Sequence, residues 1–197
     1  MIKSKLLKNV VWITEIFTTN LRRFLDLSNH RKWTSVDNLS PDWDSRTELI
    51  ATLIPAGSSV LEFGAGRMVL KRCLPKGCSY TPSDLVDRGA GTLVCDLNAK
   101  LLPHFARHDI AVFSGVLEYV NDVPRLLSHL SKSVDVIIAS YGSTDFVPET
   151  PRRRFYGWVN DYSSNEFLNL FAEAGFSCRE LMTWREAQIV GRFLKKK

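Results

Sequence analysis

Chemistry in this chain is concentrated at four places: the stretch VLEFGAGRM at 60–68, Asp84, Asp96 and the run at 114–119. Gly64 and Gly66 stand one residue apart, a spacing that lets backbone N–H groups approach a ligand and turns the chain tightly into a helix. The loop then leaves the phosphate-binding patterns. Val69 occupies the last glycine position of G-x-G-x-x-G, Met68 the third glycine position of an acidic-x-G-x-G-x-G loop, and no G-x-x-x-x-G-K-[ST] occurs. Glu62 at the loop mouth disfavours a phosphate and suits a ligand carrying positive charge. Asp84 follows Gly66 by eighteen residues, an interval at which a carboxylate can accept from both ribose hydroxyls. Asp96, in VCDLN, can accept from an exocyclic amine.

Those residues need strands and turns to bring them together. SVLEF, CSYTPSDL, GTLVCDLN, DIAVFSGVL and VDVIIASYG read as short buried strands. SRTELIATLI, MVLKRCL, VPRLLSHLSKS and SSNEFLNLFAEAGF read as helices, the first with Ser45 as N-cap and the last closed by Gly175. A loop is expected over 142–162, and CRELMTW with AQIVGRFLKK as a closing strand pair. Alternating strands and helices predict an α/β fold, a mostly parallel sheet with helices on both faces and an antiparallel strand at one edge. Ligands of such sheets bind beyond the carboxyl ends of the strands, where these four places fall. One nucleoside, no phosphate and a cationic group beside Glu62 together describe S-adenosylmethionine.

With 197 residues, the chain has room for one sizeable core. Cys73, Cys78, Cys95 and Cys178 form no C-x-x-C pair and have no histidine at metal-ligand spacing. The reading is therefore no metal and a reducing cytoplasmic location. The net charge of +5 resides in residues 1–32, where seven basic side chains face Glu15 and Asp26. A nucleic-acid-binding face in the main body is not expected.

The N-terminal segment spaces Leu6, Val10, Ile13, Phe17, Leu21 and Phe24 by three or four, as an amphipathic helix does. Glu15 and Asn9 interrupt it as a membrane span. Two readings stand. It packs on the domain, as a lid or homodimer contact, or it lies peripherally on an anionic membrane with Trp12 and Phe17 buried. The polar stretch SNHRKWTSVDNLSPDWDS reads as a linker, so the expected organisation is helix and linker over 1–42 and a ligand-binding domain over 43–197.

Taken in order, VLEFGAG, SDL, CDLN, AVFSGVLEYV and FLNLFAEAGF resemble class I S-adenosylmethionine-dependent methyltransferases over roughly residues 43–191. The resemblance implies a Rossmann-like seven-stranded sheet of order 3-2-1-4-5-7-6 with strand 7 antiparallel. It also implies that Glu62, Gly64 and Gly66 surround the methionyl part, Asp84 the ribose, Asp96 and Leu97 the adenine, and Ser114 and Gly115 the floor near the methyl group. Two positions depart from the pattern: Met68 replaces the third glycine, and Tyr119 stands where relatives with V-L-E-H have histidine. No Asn-Pro-Pro-Tyr segment follows the fourth strand.

Methyl transfer from a sulfonium is an in-line displacement, and a base is needed only for a hydroxyl or protonated nitrogen. Tyr119, Tyr141, His104 and Glu118 are the candidates near the expected mouth; no catalytic residue is assigned. In the 142–162 loop, Arg153 between Arg152 and Arg154, with Phe155, Tyr156 and Trp158, either recognises an anionic or sugar-like acceptor or forms a solvated run whose aromatics dock the loop. The expected activity is methylation of a small-molecule, glycosyl or lipid-linked acceptor. The alternatives are a catalytically silent binding or assembly module and, with less support, a nicotinamide oxidoreductase.

Overall fold

The structure is a computed structural model that describes residues 2–89 and 91–196, with side chains from residue 7 onward in the first helix. Leu6, the first apolar position of the N-terminal pattern, therefore lies outside the described side chains.

Seven strands form one sheet: β1 (Ser59–Phe63), β2 (Ser79–Asp84), β3 (Leu93–Val94), β4 (His108–Phe113), β5 (Val134–Tyr141), β6 (Phe176–Trp184) and β7 (Gln188–Lys195). Their order is β3-β2-β1-β4-β5-β7-β6. The first five run parallel, and β7 pairs antiparallel with both β5 and β6. The sheet order and the antiparallel β7 agree with the expectation from the sequence. The central strands are buried on both faces, which is why SVLEF and VDVIIASY read as continuous apolar runs rather than alternating ones.

One face carries α3 (Asp44–Ala51) and α4 (Val69–Cys73), where Ile50, Leu70, Val60 and Val112 share a core. The other carries α5 (Val123–Leu130) and α7 (Ser164–Glu173), whose Leu126, Leu127, Phe167 and Phe171 pack with Phe113 and Ile137. α7 starts as its sequence requires: Ser163 and Glu166 form a reciprocal capping box.

Three expectations change. The helix containing Ser45 begins at Asp44 after Trp43, with no side-chain cap; the Ser45 hydroxyl instead accepts from Trp184 Nε1 at 3.1 Å. The loop over 142–162 contains a helix, α6 (Thr150–Tyr156), with Pro151 in its first turn and Gly157 in the left-handed conformation at its end. The polar stretch after the N-terminal helix holds α2 (His30–Thr34) and short 3₁₀ turns at Val36–Asn38 and Pro41–Trp43. It crosses over the strand ends as a strap. The first helix, α1 (Ile2–Phe24), packs against α6. No helix among the described residues is long and apolar enough to cross a membrane.

Candidate functional site

The glycine loop leaves β1 with Gly64 at φ 67° and Gly66 at φ 50°. A Cβ on Gly64 would sit 2.5 Å from Val116 Cγ2, so only glycine fits there. Met68, in the third glycine position, also has positive φ, at 52°, and its N–H bonds to Ala65 O at 2.7 Å. The turn therefore keeps its left-handed geometry without the third glycine, at a steric cost of roughly 1 kcal/mol for a side chain in that region.

Glu62 lies beneath this loop, 2% exposed, and accepts a hydrogen bond from the Tyr80 hydroxyl. Burial raises its carboxyl pKa to about 8; the Tyr80 bond opposes that shift and Asp84 adds to it. Asp84 ends β2 and holds the loop: its Oδ2 accepts from Gly66 N at 2.8 Å and its Oδ1 from Leu85 N at 2.7 Å. Arg88 approaches the same carboxylate, with Nε 3.3 Å from Oδ2. Arg88 also donates to the carbonyls of Trp33 and, at 3.1 Å, Thr34, which ties Asp84 to the strap. Asp96 meets the strap as well: Oδ1 accepts from Ser28 Oγ at 2.6 Å and Asn98 N at 2.9 Å, and His30 Nε2 lies 3.3 Å from Oδ2.

Past β4, Ser114 and Gly115 form a floor held from below. Arg46 Nε donates to Ser114 Oγ at 3.1 Å, Nη2 to Ser114 O at 3.1 Å and Nη1 to Gln188 Oε1 at 2.9 Å. Gly115, at φ 67°, allows this approach, because a Cβ would stand 2.5 Å from the guanidinium. Gln188 passes the contact on to Glu118 Oε1 at 3.0 Å, which also accepts from Gly142 N at 2.9 Å. Glu118 is fully buried and its Oε2 has no partner; desolvation raises its pKa against the pull of Arg46.

The glycine loop, Asp84, the strap and the floor line one cavity of about 1110 Å³. It runs from Asp84, Cys95 and Leu97 past Gly64, Gly66, Ser114 and Gly115 to Tyr119, Trp158 and Tyr156, under the inner side of α1. Such a volume exceeds that of a typical single-ligand pocket, which reaches roughly 1,000 Å³. Tyr119 stands edge-on to Trp33 at 4.9 Å, and its hydroxyl accepts from Trp158 Nε1 at 3.2 Å. Burial, with Glu118 nearby, pushes its phenol pKa upward, so the hydroxyl stays protonated near neutrality. Lys32 Nζ donates to Tyr156 O at 3.0 Å; burial lowers its pKa, partly countered by Glu15.

The structure brings Glu62, Gly64, Gly66, Asp84, Asp96, Leu97, Ser114, Gly115, Tyr119 and Trp158 to this one region. Glu62 and Asp96 do not themselves line the cavity: Glu62 is buried behind the glycine loop on Tyr80, and Asp96 is bonded to Ser28, which does line it. Two expected acceptor residues are not in the cavity. Tyr141 is fully buried, with its hydroxyl donating to Asn160 Oδ1 at 2.6 Å and accepting from Arg153 Nη2 and Tyr162 N. Arg153 is fully buried too, and its donors are spent on Asp161, the carbonyls of Gly142, Val147 and Asn160, and Tyr141 Oη. A guanidinium has five N–H donors, so none is left for an acceptor. Arg154 is likewise buried against Asp161, whereas Arg152 is exposed and lines the cavity. His104 is exposed and away from the cavity. The reading missed Arg46, Arg88, Gln188 and the strap residues Ser28 and Trp33. An arginine in an amphipathic helix and a polar linker carry no sequence signal for a site.

Sheet order, glycine loop and strand-end carboxylates together define a Rossmann-like nucleoside-binding fold of the methyltransferase type. A family profile described as methyltransferase domain matches residues 36–181, and the chain belongs to that family. Among solved structures, a putative O-methyltransferase from Nostoc punctiforme aligns with TM-score 0.70 at 17% identity, over 93% of this chain and 69% of that one. The Burkholderia thailandensis 1,6-didemethyltoxoflavin-N1-methyltransferase, with bound 1,6-didemethyltoxoflavin and S-adenosylhomocysteine, aligns with TM-score 0.61 at 16% identity, over 80% and 79%. Synechocystis magnesium protoporphyrin IX methyltransferase with bound S-adenosylhomocysteine gives 0.58 at 15% identity, over 79% and 83%. Some longer matched chains are covered over only 54–56% of their length. No curated protein sequence matches this chain.

Proposed function

We propose that the protein transfers the methyl group of S-adenosylmethionine to a small-molecule acceptor. The observation that carries this reading is the single continuous cavity: residues suited to a nucleoside and residues suited to an acceptor line the same space, with Ser114 and Gly115 between them. The cofactor fits the residues present. Gly64 and Gly66 keep the loop backbone bare at the cavity wall, Glu62 lies behind that loop as an acid suited to an ammonium, and the buried Ser83 hydroxyl beside Asp84 has no partner.

S-adenosylmethionine supplies an electrophilic methyl group when bound. The protein's part is to hold the acceptor in line and keep water out. Arg46 fixes the floor through Ser114, while the strap covers the nucleoside side through Ser28, Trp33 and Arg88. Ribose recognition by Asp84 requires Arg88 to yield an acceptor position on that carboxylate, since Gly66, Leu85 and Arg88 already use it. No histidine among the described residues lines the cavity, and Tyr119 is held as a neutral phenol. The reading therefore favours an acceptor atom that needs no deprotonation before attack, such as an unprotonated nitrogen. For a hydroxyl, Glu118, which lines the cavity and whose Oε2 has no partner, is the remaining expected base. Trp158 and Tyr156 offer aromatic faces for a flat or sugar-like acceptor, lipid-linked or free.

Calorimetric titration with S-adenosylmethionine and S-adenosylhomocysteine tests the reading, with Asp84→Asn alongside. Asparagine keeps the shape but removes the charge facing Arg88 and turns an amide NH2 toward Gly66 N or Leu85 N, so circular dichroism is recorded on the variant to show that it is folded. Saturable binding weakened about tenfold or more by the substitution is expected. No binding to either ligand by the unaltered, folded protein would overturn the reading and leave a binding module without the chemistry.

A further inference from the structure

Helix α1 is amphipathic, and it is docked by its polar side. Glu15, Thr18, Thr19 and Arg22 line the cavity, Thr19 is almost fully buried, and the flank is fixed by Trp12 stacked on Phe155 at 4.4 Å. The apolar stripe read from the sequence points away from the domain, with Val10 at the cavity rim. Val10, Ile13, Phe17, Leu21 and Phe24 are between 46% and 84% exposed. Leu25, just past the helix, is exposed as well. A helix of 23 residues is about 34 Å long at 1.5 Å per residue, so this is one long apolar ridge rather than scattered surface residues.

Charge says what the ridge faces. Glu15 is the helix's single acid, and it lies on the cavity side. Residues 1–32 carry a net +5, and Lys8, Arg23 and Arg31 are exposed. Arg23, beside Phe24 in the chain, reaches Asp161 at 3.8 Å while half exposed, and Arg31 lies at the cavity. Two copies meeting through this ridge would set two such positive segments against each other. A negatively charged surface with an apolar interior satisfies both the ridge and the net positive charge of this segment. Val10, Val11 and Thr14 are exposed and also line the cavity, so its rim runs beside the ridge.

We propose that the outer face of α1 is a membrane-docking surface, lying parallel to an anionic bilayer with Ile13, Phe17 and Phe24 among the acyl chains and the cavity rim against the headgroups. This surface stands independently of the methyl-transfer reading.

The test is flotation of the full chain with vesicles of phosphatidylcholine alone and of equimolar phosphatidylcholine and phosphatidylglycerol. Expected is association with the mixed vesicles, at least about tenfold weaker on neutral ones and weakened by salt. Phe17→Asp, at an exposed position, should abolish association while circular dichroism and the melting temperature stay unchanged. A Phe17→Trp variant should show a blue-shifted emission on the anionic vesicles alone. Absence of association at low salt, or a solution dimer that Phe17→Asp splits, would overturn the proposal.

Discussion

Glu62 shows how one buried side chain can report on a ligand. Its raised pKa means that the unliganded fold holds a proton there more tightly than the unfolded chain, whose glutamates titrate near roughly 4.3. Its contribution to stability is therefore fully present below about pH 4.3 and is lost as pH rises through about 8. A ligand ammonium would favour the carboxylate and expel that proton. Binding of S-adenosylmethionine between about pH 5 and 8 should thus release protons, seen as heats that depend on the buffer's ionisation enthalpy. Glu62→Gln should remove that dependence and make the unliganded protein more stable near pH 8. Heats that do not vary with buffer would separate Glu62 from the ligand.

The α6 element turns an apparent recognition motif into a brace. Three arginines beside aromatics look alike in sequence, yet each has a different fate. Arg152 is exposed at the cavity, while Arg153 and Arg154 are buried and share Asp161. Through Arg153, α6 is bonded to the end of β5 and to the segment that leads into α7. Removing it takes the guanidinium donors from the buried carbonyls of Gly142, Val147 and Asn160 and leaves Arg154 as the buried partner of Asp161. Arg153→Met should cost roughly 3–5 kcal/mol in urea unfolding, whereas Arg152→Met should stay within about 0.5 kcal/mol. Equal effects at both positions would show that Arg153 braces nothing.

At the scale of the molecule, the strap, the sheet ends and the roof made by α1 and α6 enclose the cavity from separate parts of the chain. A ligand filling the nucleoside end should couple them. Saturation with S-adenosylhomocysteine at about 100 times Kd adds about 2.7 kcal/mol of stability. At about 2–4 °C per kcal/mol for a domain of this size, a rise in melting temperature of about 5–11 °C is expected by scanning calorimetry. NADH should give none; an equal rise with NADH would redirect the cofactor assignment.

The sequence by itself determined the sheet and the line of residues along its carboxyl edge. Buried strands read as apolar runs, α7 announces its start through Ser163 and Glu166, and Gly64 and Gly66 mark where the backbone must turn through positive φ. These signals are local, so neighbouring residues suffice to carry them. What the chain does with its long polar side chains was decided by tertiary structure alone. Arg46 under Ser114 and Arg88 against the strap are placed by partners more than fifty residues away, and Arg153 by partners 6 to 12 residues off that only the fold of α6 gathers around its guanidinium. Periodicity identified the apolar stripe of α1 but not the direction it faces. That was fixed by the cavity, which needed a polar roof and took the other side of the helix.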